Sequence, residues 1–274
     1  MVKWFGVFTT IILSLSVAYS QRGTIVNHGT KSLSMGGISS SLKGSDALLN
    51  NFSAIVGETE FSGLLSSERR FELEELTSAI LGVHLPVEFG HIGLVVSSYG
   101  FSEYKEQKLS LAYARKLSKY LSVSANFDYN SFRINSFGNK SVLSFGIGFF
   151  GKLSDNLNYG IYLFNPEKIE IAEATEIPGF INVSLSYKFN EDLTLYSEIE
   201  KVIDEEINFK LGVAYQMIDK LSIYTGFNSL PGAFSFGLSY KMLNIVTIEG
   251  GTQYDTLLGI TPGITVKYRN LSGS

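Results

Sequence analysis

From Leu121 the chain alternates with period two. Leu121, Val123, Ala125, Phe127 and Tyr129 take one set of positions, and Ser122, Ser124, Asn126, Asp128 and Asn130 take the other. Residues two apart share a face of a strand, so one face is apolar and the opposite one small and polar. The pattern returns at 143–149, 181–189 and 207–215. A soluble β-sandwich also alternates and is the rival architecture. The runs here reach roughly 9–12 residues, as a tilted crossing of hydrocarbon requires. Tyr129, Tyr187, Phe189, Tyr215, Tyr240 and Tyr268 fall near the ends of runs, where aromatic girdles belong.

The turns repeat too. Residues 116–121, 152–157, 188–193 and 216–221 each place a long polar residue and an apolar one before a short turn, then restart on Leu. This spacing predicts hairpins in up-down succession. Strands are expected near 60–69, 75–86, 90–101, 106–116, 120–134, 141–151, 157–164, 179–189, 193–201, 206–217, 220–228, 232–241, 244–252 and 258–268. That makes about 14, an even number as bacterial barrels have, and one misread hairpin would shift it to 12 or 16. A spanning sheet cannot leave backbone groups unpaired in lipid, so it must close. The expected fold is all-β: a transmembrane antiparallel up-and-down barrel over residues 58–274.

Residues 1–20 read as a secretory signal peptide: Lys3, an apolar run from Trp4 to Val17, then Ala18-Tyr19-Ser20 before Gln21. No other run approaches the ~20 apolar residues of a membrane helix. Losing Lys3 with the leader takes the formal charge from −4 to −5, the wrong sign for a nucleic-acid partner. The chain has no cysteine, which rules out disulfides, thiol nucleophiles and Cys-ligated metals.

Residues 21–57 are different in kind, rich in Gly, Ser and Asn, with a short strand expected at 38–42. Met35-Gly36-Gly37, then Asp46-Ala47 and Asn51, resemble the N-terminal signature of the FadL-like outer-membrane superfamily, which includes the PorV/PorQ proteins of type IX secretion. Phe52-Ser53 stands where that signature has Pro. The resemblance implies a 14-strand barrel whose N-terminal segment enters and lines or plugs the lumen. It further implies a non-enzymatic accessory protein of the bacterial outer membrane, working with protein partners in secretion or surface assembly. The alternatives are a FadL-like passive channel for hydrophobic small molecules and a structural or general-diffusion barrel.

Motifs for other chemistry are weak. Gly146, Gly148 and Gly151 spell G-x-G-x-x-G, but inside an alternating strand and not before a helix. The three histidines, His28, His84 and His91, lack metal-ligand spacing, although His84 and His91 can meet across the turn near Pro86. No Gly-x-Ser-x-Gly elbow occurs, and nothing calls for a cofactor or metal. Parity sends Asp128, Lys188, Glu198, Glu200 and Lys210 to the inward face, where charges can be solvated or paired. The acidic residues Asp204, Glu205 and Glu206 and the Glu-rich stretch 166–178 belong to outer loops.

Overall fold

The computed structural model describes residues 28–135, 138–166, 169–172 and 175–270; the expected signal peptide lies outside them. The strands are β1 (Ser62–Arg69), β2 (Thr77–Val87), β3 (Gly90–Gly100), β4 (Tyr104–Lys116), β5 (Leu121–Ile134), β6 (Gly138–Lys152) and β7 (Leu157–Phe164). A small hairpin follows, β8 (Ile169–Ala172) with β9 (Thr175–Ile177). The ring resumes with β10 (Phe180–Lys188), β11 (Leu193–Val202), β12 (Ile207–Ile218) and β13 (Leu221–Asn228). It ends with β14 (Ala233–Met242), β15 (Val246–Asp255) and β16 (Gly259–Arg269).

All but β8 and β9 form one closed antiparallel barrel of 14 strands, sealed where β1 pairs with β16. Closure rules out the sandwich. Expected and observed strand ends differ by at most three residues. The hairpin β8–β9 was not expected; it sits within the connection from β7 to β10, where the sequence showed only charge.

Burial is inverted relative to a soluble protein. On β5 the polar residues are covered, with Asp128 and Asn130 each 2% exposed, whereas Phe127 is 67% exposed. Leu143 on β6, at 71%, and Leu111 on β4, at 55%, extend the apolar outer surface. The girdle tyrosines Tyr129, Tyr187, Tyr215, Tyr240 and Tyr268 also face outward. No described helix is long and apolar enough to cross a membrane. The outer surface of the strands instead supplies the apolar band of an outer-membrane-type barrel.

Tight turns such as 88–89 and 219–220 collect at the end that carries residues 61 and 270, where the Asn270 amide donates to the Phe61 carbonyl at 2.9 Å. Longer connections, including 70–76 and 165–179, collect at the other end. There Phe132, Phe164, Ile177, Phe180 and Val202 pack together, so the β9 end of the hairpin closes against the strand ends.

Candidate functional site

Residues 28–57 hold little regular structure: helix α1 (Gly29–Leu33) and two 3-10 turns, Gly44–Leu49 and Phe52–Ile55. The strand expected at 38–42 does not form. A closed barrel offers no free edge to pair with. The Ser39 and Ser40 amides instead donate to the Glu198 carboxylate at 3.0 and 2.8 Å.

This segment touches the polar face of strands all around the ring. Thr30 bonds Thr265 on β16, Ser39 meets Glu198 on β11, and Asn51 reaches β6 and β7. The sheet is shaped for the contact by missing β-carbons. A β-carbon on Gly160 would overlap the Ser40 carbonyl, one on Gly226 the Met35 backbone, and one on Gly237 or Gly251 the Ser34 hydroxyl. Gly148 leaves room in the same way for Asn51, and Gly93 for the Phe52 ring. The G-x-G-x-x-G string is thus strand β6 making space for Asn51 and, at Gly146, for Tyr162.

The signature residues are interlocks. Met35 is buried among Ile38, Leu42 and Tyr224. Gly36 and Gly37 take φ of +70° and +80°, a region costly for residues with a β-carbon, and Gly36 lies against the Phe227 backbone. Ala47 packs beneath Leu64 and Ile80. The Asn51 amide donates to the carbonyls of Ser40, Phe149 and Ile161 at 2.9, 2.9 and 3.2 Å. Asp46 pairs with Lys267 at 2.6 Å and with Lys31 at 3.7 Å. Phe52 sets its ring edge-on to His84 with centroids 6.4 Å apart.

Two buried charge clusters result. In one, Lys210 Nζ lies 3.0 Å from both Glu198 and Glu200 and donates to the Gly37 carbonyl at 3.0 Å. These three of the five charges expected inward form one network with the N-terminal segment. Asp128 stands apart, accepting from the Asn126 amide at 3.0 and 3.1 Å. Lys188 belongs to neither cluster. Its side chain is 42% exposed at a strand end and pairs with Glu191 at 2.6 Å.

The second cluster joins Lys267 to Asp46 and to Glu249, the latter at 2.7 Å. Sequence reasoning missed Glu249 and Lys267, although the same parity rule places them beside inward Gly251 and Thr265. Lys31 lies outside any strand, so no periodic signal marks it.

The histidines hold structural posts. His84 Nε2 and His91 Nδ1 approach to 3.0 Å, and Ser62 Oγ lies 3.2 Å from His84 Nδ1. Ser62 and His84 are both fully buried, so no substrate carbonyl could approach that hydroxyl. His28 bonds Asn50 at 3.0 Å; burial, and after it the Lys210 ammonium, push it down to about 4. No group of three His, Asp or Glu side chains suited to a metal occurs among the described residues.

Between the 44–55 stretch and the loop-end aromatics lies a cavity of about 620 Å³, its open mouth included. Leu48, Leu49, Phe52, Val95, Phe164 and Phe180 form its apolar walls. Ser39, Ser110, Asn126, Asp128 and Asn182 form a polar arc, with Lys108 and His28 also at its edge.

No protein-family model matches the sequence, and no curated protein matches it either. The fold has solved counterparts. The toluene transporter TbuX of Ralstonia pickettii superimposes with a TM-score of 0.71 at 11% identity, over 90% of this chain and 100% of that one. The CymD monoaromatic hydrocarbon channel gives 0.70 at 14% identity, over 92% and 100%. A Pseudomonas aeruginosa FadL homologue gives 0.65 at 11% identity, over 88% and 98%.

These neighbours correct the expectation of a PorV/PorQ-like secretion partner, because they are transporters and channels of the FadL kind. The physical reason is plain. Met35, Gly36, Gly37, Asp46 and Asn51 dock a segment onto the sheet, and that contact by itself names neither a partner nor a cargo.

Proposed function

We propose that this chain is an outer-membrane channel for hydrophobic small molecules, with residues 28–57 as the plug of its lumen. The cavity carries the reading. It lies between the segment's Leu48, Leu49 and Phe52 and the loop-end residues Phe164 and Phe180. Its apolar walls are the surface against which a hydrocarbon would be buried. The shared fold with hydrocarbon channels supports the same class of cargo. In this reading the apolar band meets lipid, the long connections face outward and the tight turns face the periplasm.

Glycine clearance and buried ion pairs seat the segment against the strands, which argues against a general-diffusion pore. The test is uptake of labelled toluene by Gram-negative cells that carry the protein in the outer membrane and lack a channel of their own for it. The expected result is faster initial uptake than in cells with the empty vector. Equal rates, with the barrel folded and inserted, would overturn the proposal.

A further inference from the structure

We infer that the cavity selects an amphiphile with a positively charged, hydrogen-bond-donating head, an alkyl- or arylalkylamine, over a carboxylate of the same length. This rests on the channel reading above and names the cargo class of that cavity.

The inference follows from how donors and acceptors are distributed on the polar arc. Gly146 has no β-carbon, and the space lets the Tyr162 hydroxyl reach from β7 to the Asn126 oxygen on β5, at 3.0 Å. That contact turns the Asn126 amide toward Asp128, where it serves both carboxylate oxygens. Tyr162 and Asn126 have thus committed their donors to neighbours.

One strand further, Asn182 stands opposite Tyr162 in register and gives its amide to the Ser39 hydroxyl at 2.9 Å. Its oxygen is buried and accepts nothing from the protein. Facing the cavity beside the Ser110 hydroxyl are the Asp128 carboxylate, 2% exposed and in no ion pair with a described residue, and the orphaned Asn182 oxygen. Two acceptors, one of them anionic, call for a donor, and a cationic one is held most strongly.

The positive groups at the edge do not reverse this. Lys108 is engaged in an interaction of its own, and burial keeps His28 neutral. A chain or ring attached to the head would lie along Phe52, Val95, Phe164 and Phe180, whose burial against apolar surface is favourable. A bare hydrocarbon would lie along the same walls and leave the carboxylate without a counter-charge and the Asn182 oxygen without a donor.

The test uses full-length protein in lipid nanodiscs and calorimetric titration with octylamine, octanoate and ethylbenzene, subtracting partition into empty discs. Octylamine is expected to bind about tenfold tighter than octanoate, the worth of one charge-assisted hydrogen bond, and Asp128→Asn to narrow that gap to about twofold. Ethylbenzene affinity and heat-modifiable migration report whether the variant is folded.

If ethylbenzene binds but the amine shows no preference, or keeps it in Asp128→Asn, the inference is overturned and the channel reading stands. If none of the three binds, both fail.

Discussion

Lys210 and Glu198 stand directly opposite each other on β12 and β11, and their side chains close to 3.0 Å in a fully buried ion pair. Glu198 also takes the Ser39 and Ser40 amides, so one carboxylate joins barrel wall and N-terminal segment. Removing the lysine leaves Glu198 and Glu200 buried without their shared counter-charge. Lys210→Met should therefore destabilise the folded barrel by about 3 kcal/mol, and adding Glu198→Gln and Glu200→Gln should recover much of it. The midpoint of heat-modifiable gel migration checks both.

Gly160 predicts how tightly the segment is seated. An added β-carbon would overlap the Ser40 carbonyl, and backbone on both sides has nowhere to go. Gly160→Ala should weaken docking by roughly 1–3 kcal/mol without opening the strand ladder. Limited proteolysis should then cut within 28–57 while the barrel stays intact, and bilayer conductance should rise above that of the parent.

His28 gives the segment an acid limit. Burial first, and Lys210 second, hold it at about 4 against an ordinary 6.5. As pH falls, the unfolded chain takes up this proton before the folded one, so protonation favours unfolding. The contribution is complete above about pH 6.5 and is lost as pH falls toward about 4, up to about 3 kcal/mol. Unfolding midpoints in detergent should drop across that window, and His28→Gln should make the drop shallower.

The outer band is tested at Phe127, in the middle of β5. If that face meets lipid, Phe127→Arg should cost about 2–4 kcal/mol and reduce insertion. Equal stability of the two proteins in bilayers would place this face in water.

How much of this was legible depended on range. The strand β5 was readable because each residue from Leu121 to Asn130 declares its face by local parity. The same rule sent Asp128, Glu198, Glu200 and Lys210 inward, and it would also have found Glu249 and Lys267. The docking of 28–57 was not readable from local pattern. Asn51 finds its partners about a hundred residues away, on Phe149 and Ile161, and no spacing encodes that. The short strand expected at 38–42 failed because an isolated alternation cannot know that the sheet is already closed. The secretion role that the signature resemblance implied is the part the structural neighbours contradict, since Gly36 or Asp46 fixes how a segment sits and not what passes it.

The most direct test of the account places a heavy-atom hydrocarbon in the barrel. Crystals of the full-length protein soaked in bromobenzene should show an anomalous bromine peak among Phe52, Val95, Phe164 and Phe180. A peak confined to the outer apolar band, with that cavity empty, would contradict the assignment of the barrel as a channel for hydrophobic molecules.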